Sequence, residues 1–307
     1  MKMEHKIRTD LAIELRESFP EDDVEVKGVI LKEKFDEKNN IRVTTVEIRD
    51  EAGAKAMGKP IGTYITIETP ELNNLSEDYH KPVSDLIAMH LRKLSGKLSR
   101  DDVLVVGLGN REVTPDALGP QVVDNLFVTR HLIREFGEEF KERNHLGNVS
   151  AISPGVMAQT GMETLEIIKG VIKETNPRLI IVIDALASRS INRLNTTVQI
   201  SDTGISPGSG VGNNRKALNE ESLGVKVIAI GVPTVVDAAT IVADTLTKYM
   251  ESTGFGEEDI FKFISEVNGQ QMYNMFVTPK NIDESIKRIS YTLSEALNSC
   301  FSGGVLH

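Results

Sequence analysis

Cysteine is nearly absent. Cys300 is the only one in 307 residues, so no intrachain disulfide can form, and neither a thiolate cluster nor a cysteine-rich zinc site can be built. That fits a reducing, cytosol-like compartment. Long apolar runs are missing too: the richest, 179–187, is interrupted by Asp184 and falls well short of the ~20 residues that span a bilayer. The first ten residues are charged and lack the apolar stretch of a secretory signal. Neither membrane insertion nor export by that route is expected, which leaves a cytoplasmic location. Positive charge is in the minority, with 35 Lys and Arg against 45 Asp and Glu and a net charge of −10. Such a chain is a poor match for a phosphate backbone, so direct nucleic-acid binding is not expected. The six histidines, His5, His80, His90, His131, His145 and His307, show no metal-ligand spacing and read as surface or core residues.

What is present is the pattern of an α/β fold. Two runs of β-type alternation, 24–31 and 41–48, precede a third at 62–68, with Gly, Pro and charged residues between them. They predict a small, mostly antiparallel β layer. Val83, Ile87, Leu91 and Leu94 then recur at spacings of three and four, which predicts a helix over 79–98. Beyond it, short apolar strands at 103–107, 149–153, 179–184 and 227–231 alternate with helical stretches at 116–136, 161–175 and 234–249, and a helix over 281–298 follows. That alternation predicts a mostly parallel sheet with helices on both faces. Thr234, three residues before Asp237, resembles a capping box for the third of those helices. No internal repeat or flexible linker divides the chain, so a single α/β domain is expected.

In open parallel sheets, the loops at the carboxyl ends of strands build the site. Three polar loops qualify, 107–120, 183–190 and 231–234. Asp184 follows five bulky apolar residues, where an unpaired charge is expensive. Alone, it could be a carboxylate satisfied by backbone N–H groups at a turn. Asp116 alone could be a helix-starting cap. Together they carry more, because two neighbouring carboxylates in a partly dry cleft tend to share one proton, leaving one as general base on water and the other as general acid. That chemistry hydrolyses a peptide without metal, thiol or serine triad. The stretch Gly208-Ser209-Gly210-Val211-Gly212-Asn213-Asn214-Arg215-Lys216 looks like a phosphate loop but fits neither the dinucleotide fingerprint nor the P-loop. Arg189, Arg193, Arg215 and Lys216 cluster in an otherwise acidic sequence, either as solvated charges or as a trap for an acidic substrate segment.

Several longer motifs resemble the germination protease family of spore-forming bacteria. They are Val105-Val106-Gly107-Leu108-Gly109-Asn110, Val113-Thr114-Pro115-Asp116-Ala117-Leu118-Gly119-Pro120, Pro154-Gly155-Val156-Met157, Ile183-Asp184-Ala185-Leu186-Ala187 and Ile205-Ser206-Pro207-Gly208-Ser209-Gly210-Val211-Gly212-Asn213. The similarity runs over nearly the whole chain, from Ile7-Arg8-Thr9-Asp10-Leu11-Ala12-Ile13-Glu14 through Lys27-Gly28-Val29-Ile30 to Phe276-Val277-Thr278-Pro279-Lys280. The resemblance implies an atypical aspartic endopeptidase without a cofactor, a homotetramer made as a zymogen in the forespore and kept in the spore core. At germination it would begin the degradation of the small acid-soluble spore proteins that coat the DNA. The family's two catalytic aspartates fall on Asp116 and Asp184, and the implied fold is similar to that of hydrogenase-maturation peptidases.

The family is activated by removal of a short N-terminal propeptide, and its targets are cut after an acidic residue that follows a small hydroxylated one and precedes an apolar one. Thr9-Asp10-Leu11-Ala12 has that arrangement. Residues 1–10 are therefore expected to be a propeptide and 11–307 a single protease domain, with self-cleavage between Asp10 and Leu11 in an exposed segment. Asn110, Arg189 and Arg215 are candidate substrate-binding residues. Between 249 and 276 the chain is shorter than the family pattern.

Two other readings stand beside this one. A metal-binding peptidase of the hydrogenase-maturation type is suggested by Gly107-x-Gly109-Asn110, Asp116 and Asp184, although no histidine follows Asp184 before His307. A non-enzymatic module that binds spore proteins would need neither aspartate.

Overall fold

The central strands are apolar at almost every position because both of their faces are covered. A computed structural model describes residues 9–17, 26–73, 80–97, 102–208, 215–256, 263 and 275–301. Its strands are β1 (Val29–Asp36), β2 (Ile41–Ile48), β3 (Gly62–Glu68), β4 (Asp102–Gly107), β5 (Asn148–Ile152), β6 (Leu179–Ser188), β7 (Thr197–Ser201), β8 (Lys226–Asp237) and β9 (Phe276–Val277). They form one sheet in the order β1-β2-β3-β7-β8-β6-β4-β5, with β9 added to β8. The pairs β8·β6, β6·β4 and β4·β5 are parallel. Along β4, Val103 and Val105 pack with Ile181, Ile183 and Ile230 under the helices His80–Ser95, Leu118–Asp124 and Ile282–Phe301. Leu104 and Val106 point the other way, joining Ile180, Val182 and Ile168 beneath the helix Thr164–Thr175. Each such side chain stabilises the fold by about 1.5–3 kcal/mol, so both faces of the parallel region are locked.

The expected N-terminal antiparallel layer exists as β1–β3, but it is part of the main sheet. The join is β7, antiparallel to both β3 and β8. Its sequence, Thr197-Val198-Gln199-Ile200-Ser201, alternates polar and apolar residues as a half-exposed strand would, yet all five are buried, so alternation does not reveal that it lies inside the sheet.

Several boundaries differ from expectation. Strand β1 starts at Val29 rather than 24. Strands β6 and β8 run past 184 and 231, so the expected loops 183–190 and 231–234 are largely paired strand, with Asp184 opposite Gly231 and a bulge between Leu186 and Ala187. Because β8 continues, the helix expected from 234 starts at Ala238, and Asp237, not Thr234, accepts from an N–H of its first turn, that of Thr240, at 3.1 Å. The helix expected over 116–136 is divided into Leu118–Asp124 and Arg130–Phe136. Between them, buried Thr129 donates to the Gly147 carbonyl and accepts from Val149 N–H, tying the chain to β5. Propeptide residues 1–8, residues 209–214 of the glycine-rich stretch, most of 249–276 and His307 lie outside the described residues.

The largest correction concerns the segment expected to be exposed. Leu11 and Ala12 are 0 % exposed and open a short helix, Ala12–Glu17. Leu11 and Ile13 pack on Leu186 of β6, while Ala12 joins Val46, Ile48, Met57 and Tyr64. Glu14 follows them into the interior. Its carboxylate accepts from Arg189 N–H at 2.7 Å and Ser190 N–H at 3.0 Å, and lies 3.4 Å from the Arg193 guanidinium. A buried carboxylate satisfied this way fastens the segment to the end of β6. Glu14→Ala strands those donors and should cost about 3 kcal/mol, measured as a lower denaturant midpoint. A loss below about 0.5 kcal/mol would show that Glu14 is not the fastener.

Candidate active site

Strand β4 stops at Gly107 while β6 and β8 carry on, and this step in the sheet edge creates the site. Leu108 N–H still donates to Ile183 carbonyl oxygen at 2.8 Å, after which the chain turns away. Asp184 is thus the first β6 residue beyond the cover of β4, and strand alternation puts it on the same face as Ile180 and Val182.

The turn that follows is possible only with glycine. Gly109 has φ +114°, and a Cβ there would sit 1.9 Å from the Asp116 carbonyl oxygen. A Cβ on Gly107 would meet Gly119 O at 2.2 Å, and one on Gly119 would meet Leu108 O at 2.3 Å. The spacing of Gly107, Gly109 and Gly119 therefore records backbone packed directly on backbone. That packing delivers Asp116, at the end of the 3₁₀ turn Thr114–Asp116, to the step beside Asp184. Asn110 N–H donates to Asp116 Oδ2 at 2.7 Å and fixes its orientation.

A cavity of about 390 Å³ opens there, lined among others by Asp116, Asp184, Asp10, Arg215 and Thr234. Asp184 is 5 % exposed. Burial pushes its carboxyl well above the usual 3.8, and the charges of Asp116 and then Asp10 push it further, against Ala185 N–H and Arg215. Burial also raises Asp116, opposed by Asn110 N–H and Arg215. The pair is asymmetric in burial: each carboxylate accepts from one backbone N–H, Asn110's for Asp116 and Ala185's for Asp184, but Asp184 lies deeper and is the better place for a proton. Such an arrangement can hold one proton at neutral pH and offers a base and an acid side by side.

The candidate binding residues disperse. Arg215 lines the cavity. Arg189 instead makes a two-point ion pair with Asp244, Nη2 to Oδ1 at 2.7 Å and Nε to Oδ2 at 3.0 Å. Arg193 is held by Glu14, Glu17 and Glu68, and Lys216 is exposed. Asn110 contributes its backbone, while its side-chain oxygen accepts from Glu112 N–H and Gln159.

Asp10 reaches the same cavity as the pair. Its N–H donates to Ala187 O at 2.9 Å, and its Oδ2 accepts from Ala187 N–H at 3.0 Å. Lys59 and Gln199, on the far side of Asp10, carry no sequence signal and are brought in by the pairing of β3 with β7. Among the described residues, no group of three or more His, Cys, Asp or Glu side chains could hold a metal ion, and no helix is long and apolar enough to cross a membrane.

The burial of Asp184 has a measurable cost. A carboxyl whose folded pKa lies above its unfolded value favours folding while protonated, and that benefit is lost as pH rises through the folded pKa. Asp184→Asn, which never ionises, should be about as stable as the wild type below about pH 3.8 and more stable than it at pH 7. Urea unfolding across that range checks it. A variant less stable than the wild type at pH 7 would contradict the reading.

Comparison with known proteins agrees with the motifs. The germination protease family model matches residues 7–258. A germination protease of Caldanaerobacter subterraneus subsp. tengcongensis is 48 % identical over 318 residues, covering 97 % of this chain and 95 % of its own. The germination protease of Clostridium perfringens (strain ATCC 13124) is 43 % identical over 311 residues, covering 96 % and 94 %. That of Priestia megaterium is 39 % identical over 351 residues, with the same shares. Among solved structures, the hydrogenase maturation protease HycI from Thermococcus kodakarensis aligns with 68 % of this chain and 99 % of its own at 16 % identity and a TM-score of 0.34, a likeness too loose to carry an argument. Matched by the family model over most of its length and by such relatives from end to end, the chain belongs to the germination protease family.

Proposed function

We propose that this peptidase hydrolyses peptide bonds with a water molecule activated between Asp116 and Asp184. The observation that carries the reading is the meeting of two carboxylates in one cavity, one of them buried to the point where it favours its protonated form. Asp116 is the base that takes a proton from water; Asp184 is the acid that protonates the leaving nitrogen. The reaction needs no metal. Its substrates are the small acid-soluble spore proteins, and Arg215 offers a positive charge at the cavity to an acidic residue of the substrate.

The same reading makes the chain a zymogen that cuts itself between Asp10 and Leu11. Asp10 lines the cavity with the pair, and Leu11 is buried next to it, so the bond is presented in cis at the cavity wall and residues 1–10 restrain the site until it is cut.

The test uses the full chain under activating conditions, in excess chelator, with a small acid-soluble spore protein added. Wild type should cleave the added protein and yield a chain beginning at Leu11 by mass spectrometry. Asp116→Asn and Asp184→Asn, shown folded by circular dichroism, should each lose at least about a thousandfold in rate, because members of one catalytic unit fail together. Wild-type turnover in either variant removes that residue from the mechanism. Activity lost to the chelator and restored by a divalent metal replaces the water-and-aspartate mechanism with a metal-dependent one.

A further inference from the structure

The peptide bond between Asp10 and Leu11 is gripped by donors that do not belong to the aspartate loops. The Asp10 carbonyl oxygen accepts from Lys59 Nζ at 2.8 Å and from Gln199 Nε2 at 3.3 Å. Gln199 Oε1 in turn accepts from Ala12 N–H at 2.7 Å, so one amide spans the bond from the carbonyl before it to the N–H after it. The N–H of Leu11 donates to Thr9 Oγ1 at 3.0 Å, and that hydroxyl donates to buried Glu14. Every polar atom of the bond therefore has a fixed partner.

These donors come from parts of the fold that the aspartate loops do not use. Lys59 follows the helix Glu51–Met57 on the antiparallel side of the sheet, and Gln199 sits in β7. Both line a second cavity, of about 260 Å³. Asp10 and Leu186 line both cavities, so Asp10 stands at the wall shared by the cavity of the carboxylates and the cavity of the lysine. Lys59 is half-buried; desolvation lowers its pKa while the charge of Asp10 raises it. Lys59 thus holds its ammonium against the Asp10 carbonyl oxygen in a place where a cation is expensive to desolvate.

We propose that Lys59 and Gln199 are the donors that stabilise the negative charge developing on the Asp10 carbonyl oxygen when the Asp10–Leu11 bond is cut. The proposal rests on the self-cleavage reading above. Water adds to the Asp10 carbonyl carbon and gives one proton to Asp116. The carbonyl π electrons move onto oxygen, and the resulting alkoxide stays hydrogen-bonded to Lys59 Nζ and Gln199 Nε2. As the C=O re-forms, the C–N bond breaks and Leu11 nitrogen takes the proton from Asp184. The products are an Asp10 carboxylic acid and a Leu11 amine, and the pair again holds one proton. Donors already in place before the charge develops contribute about a hundredfold or more to the rate.

The experiment measures self-cleavage of the full chain by mass spectrometry in wild type, Lys59→Met, Lys59→Arg and Gln199→Met. Hydrogen exchange of the Leu11–Glu14 amides in each chain reports whether the segment is still docked. Lys59→Met should slow release of the chain beginning at Leu11 about a hundredfold with exchange protection unchanged. Gln199→Met should slow it less, and Lys59→Arg should recover part of the rate. A Lys59→Met chain that cuts itself within about twofold of wild type, or one whose slower cleavage comes with loss of protection at Leu11–Glu14, overturns the proposal and leaves Lys59 as an anchor. If wild type yields no chain beginning at Leu11, the self-cleavage reading falls first and takes this proposal with it. If wild type cuts and Lys59→Met cuts as fast, only the role of Lys59 falls.

Discussion

A carboxylate set into an apolar sheet beside a second carboxylate is the constraint on which the rest of the structure turns. Asp184 continues a strand whose preceding five residues are completely buried, and the position would be intolerable for an isolated charge. The structure answers with geometry. Strand β4 stops one residue short of Asp184, three glycines let the following loop fold back on itself, and Asp116 arrives with a backbone donor already attached. In the mechanism proposed above the two acids share one proton, which relieves their repulsion and leaves one of them basic and the other acidic.

A second buried carboxylate shows what the same chemistry looks like when it serves only to hold the chain. Glu14, 3 % exposed, accepts from two backbone N–H groups and the Thr9 hydroxyl and faces Arg193. Asp184, as deeply placed, accepts from the N–H of its own neighbour Ala185 at 3.0 Å and faces two other aspartates. Among the described residues, the donors around Glu14 make it an anchor, whereas Asp184, with the Ala185 N–H and two acidic neighbours, suits the proton-holding role proposed for it. The two are linked, because the segment that Glu14 fastens carries Asp10 to the cavity.

Much of this was legible in the sequence, for identifiable reasons. The parallel strands announce themselves because both faces are covered, so Val103 to Val106 and Leu179 to Ile183 read as unbroken apolar runs. Asp184 stands out because it interrupts such a run where a charge needs a reason, whereas Asp116 alone reads as a helix-starting cap and gains weight only beside Asp184. What pattern could not reveal is what long-range pairing decides. Strand β7 buries Thr197, Gln199 and Ser201, which alternation assigns to solvent. Strands β6 and β8 outrun their apolar cores because each pairs with the other, so Asp184 lies within a strand and not at its end. Leu11 to Glu14 look like a frayed terminus until the pocket they fill exists, and Lys59 and Gln199 become neighbours of Asp10 only once β3, β7 and β8 are assembled.

The account stands on a shared proton between Asp116 and Asp184, and carboxyl protonation can be observed directly. Infrared spectroscopy of protein labelled with carbon-13 at the aspartate side-chain carboxyl, at about pH 5, where ordinary aspartates are ionised, resolves any that remain protonated. Wild type should carry a protonated-carboxyl band that disappears in Asp184→Asn. A spectrum in which every aspartate is ionised at that pH would contradict the central claim.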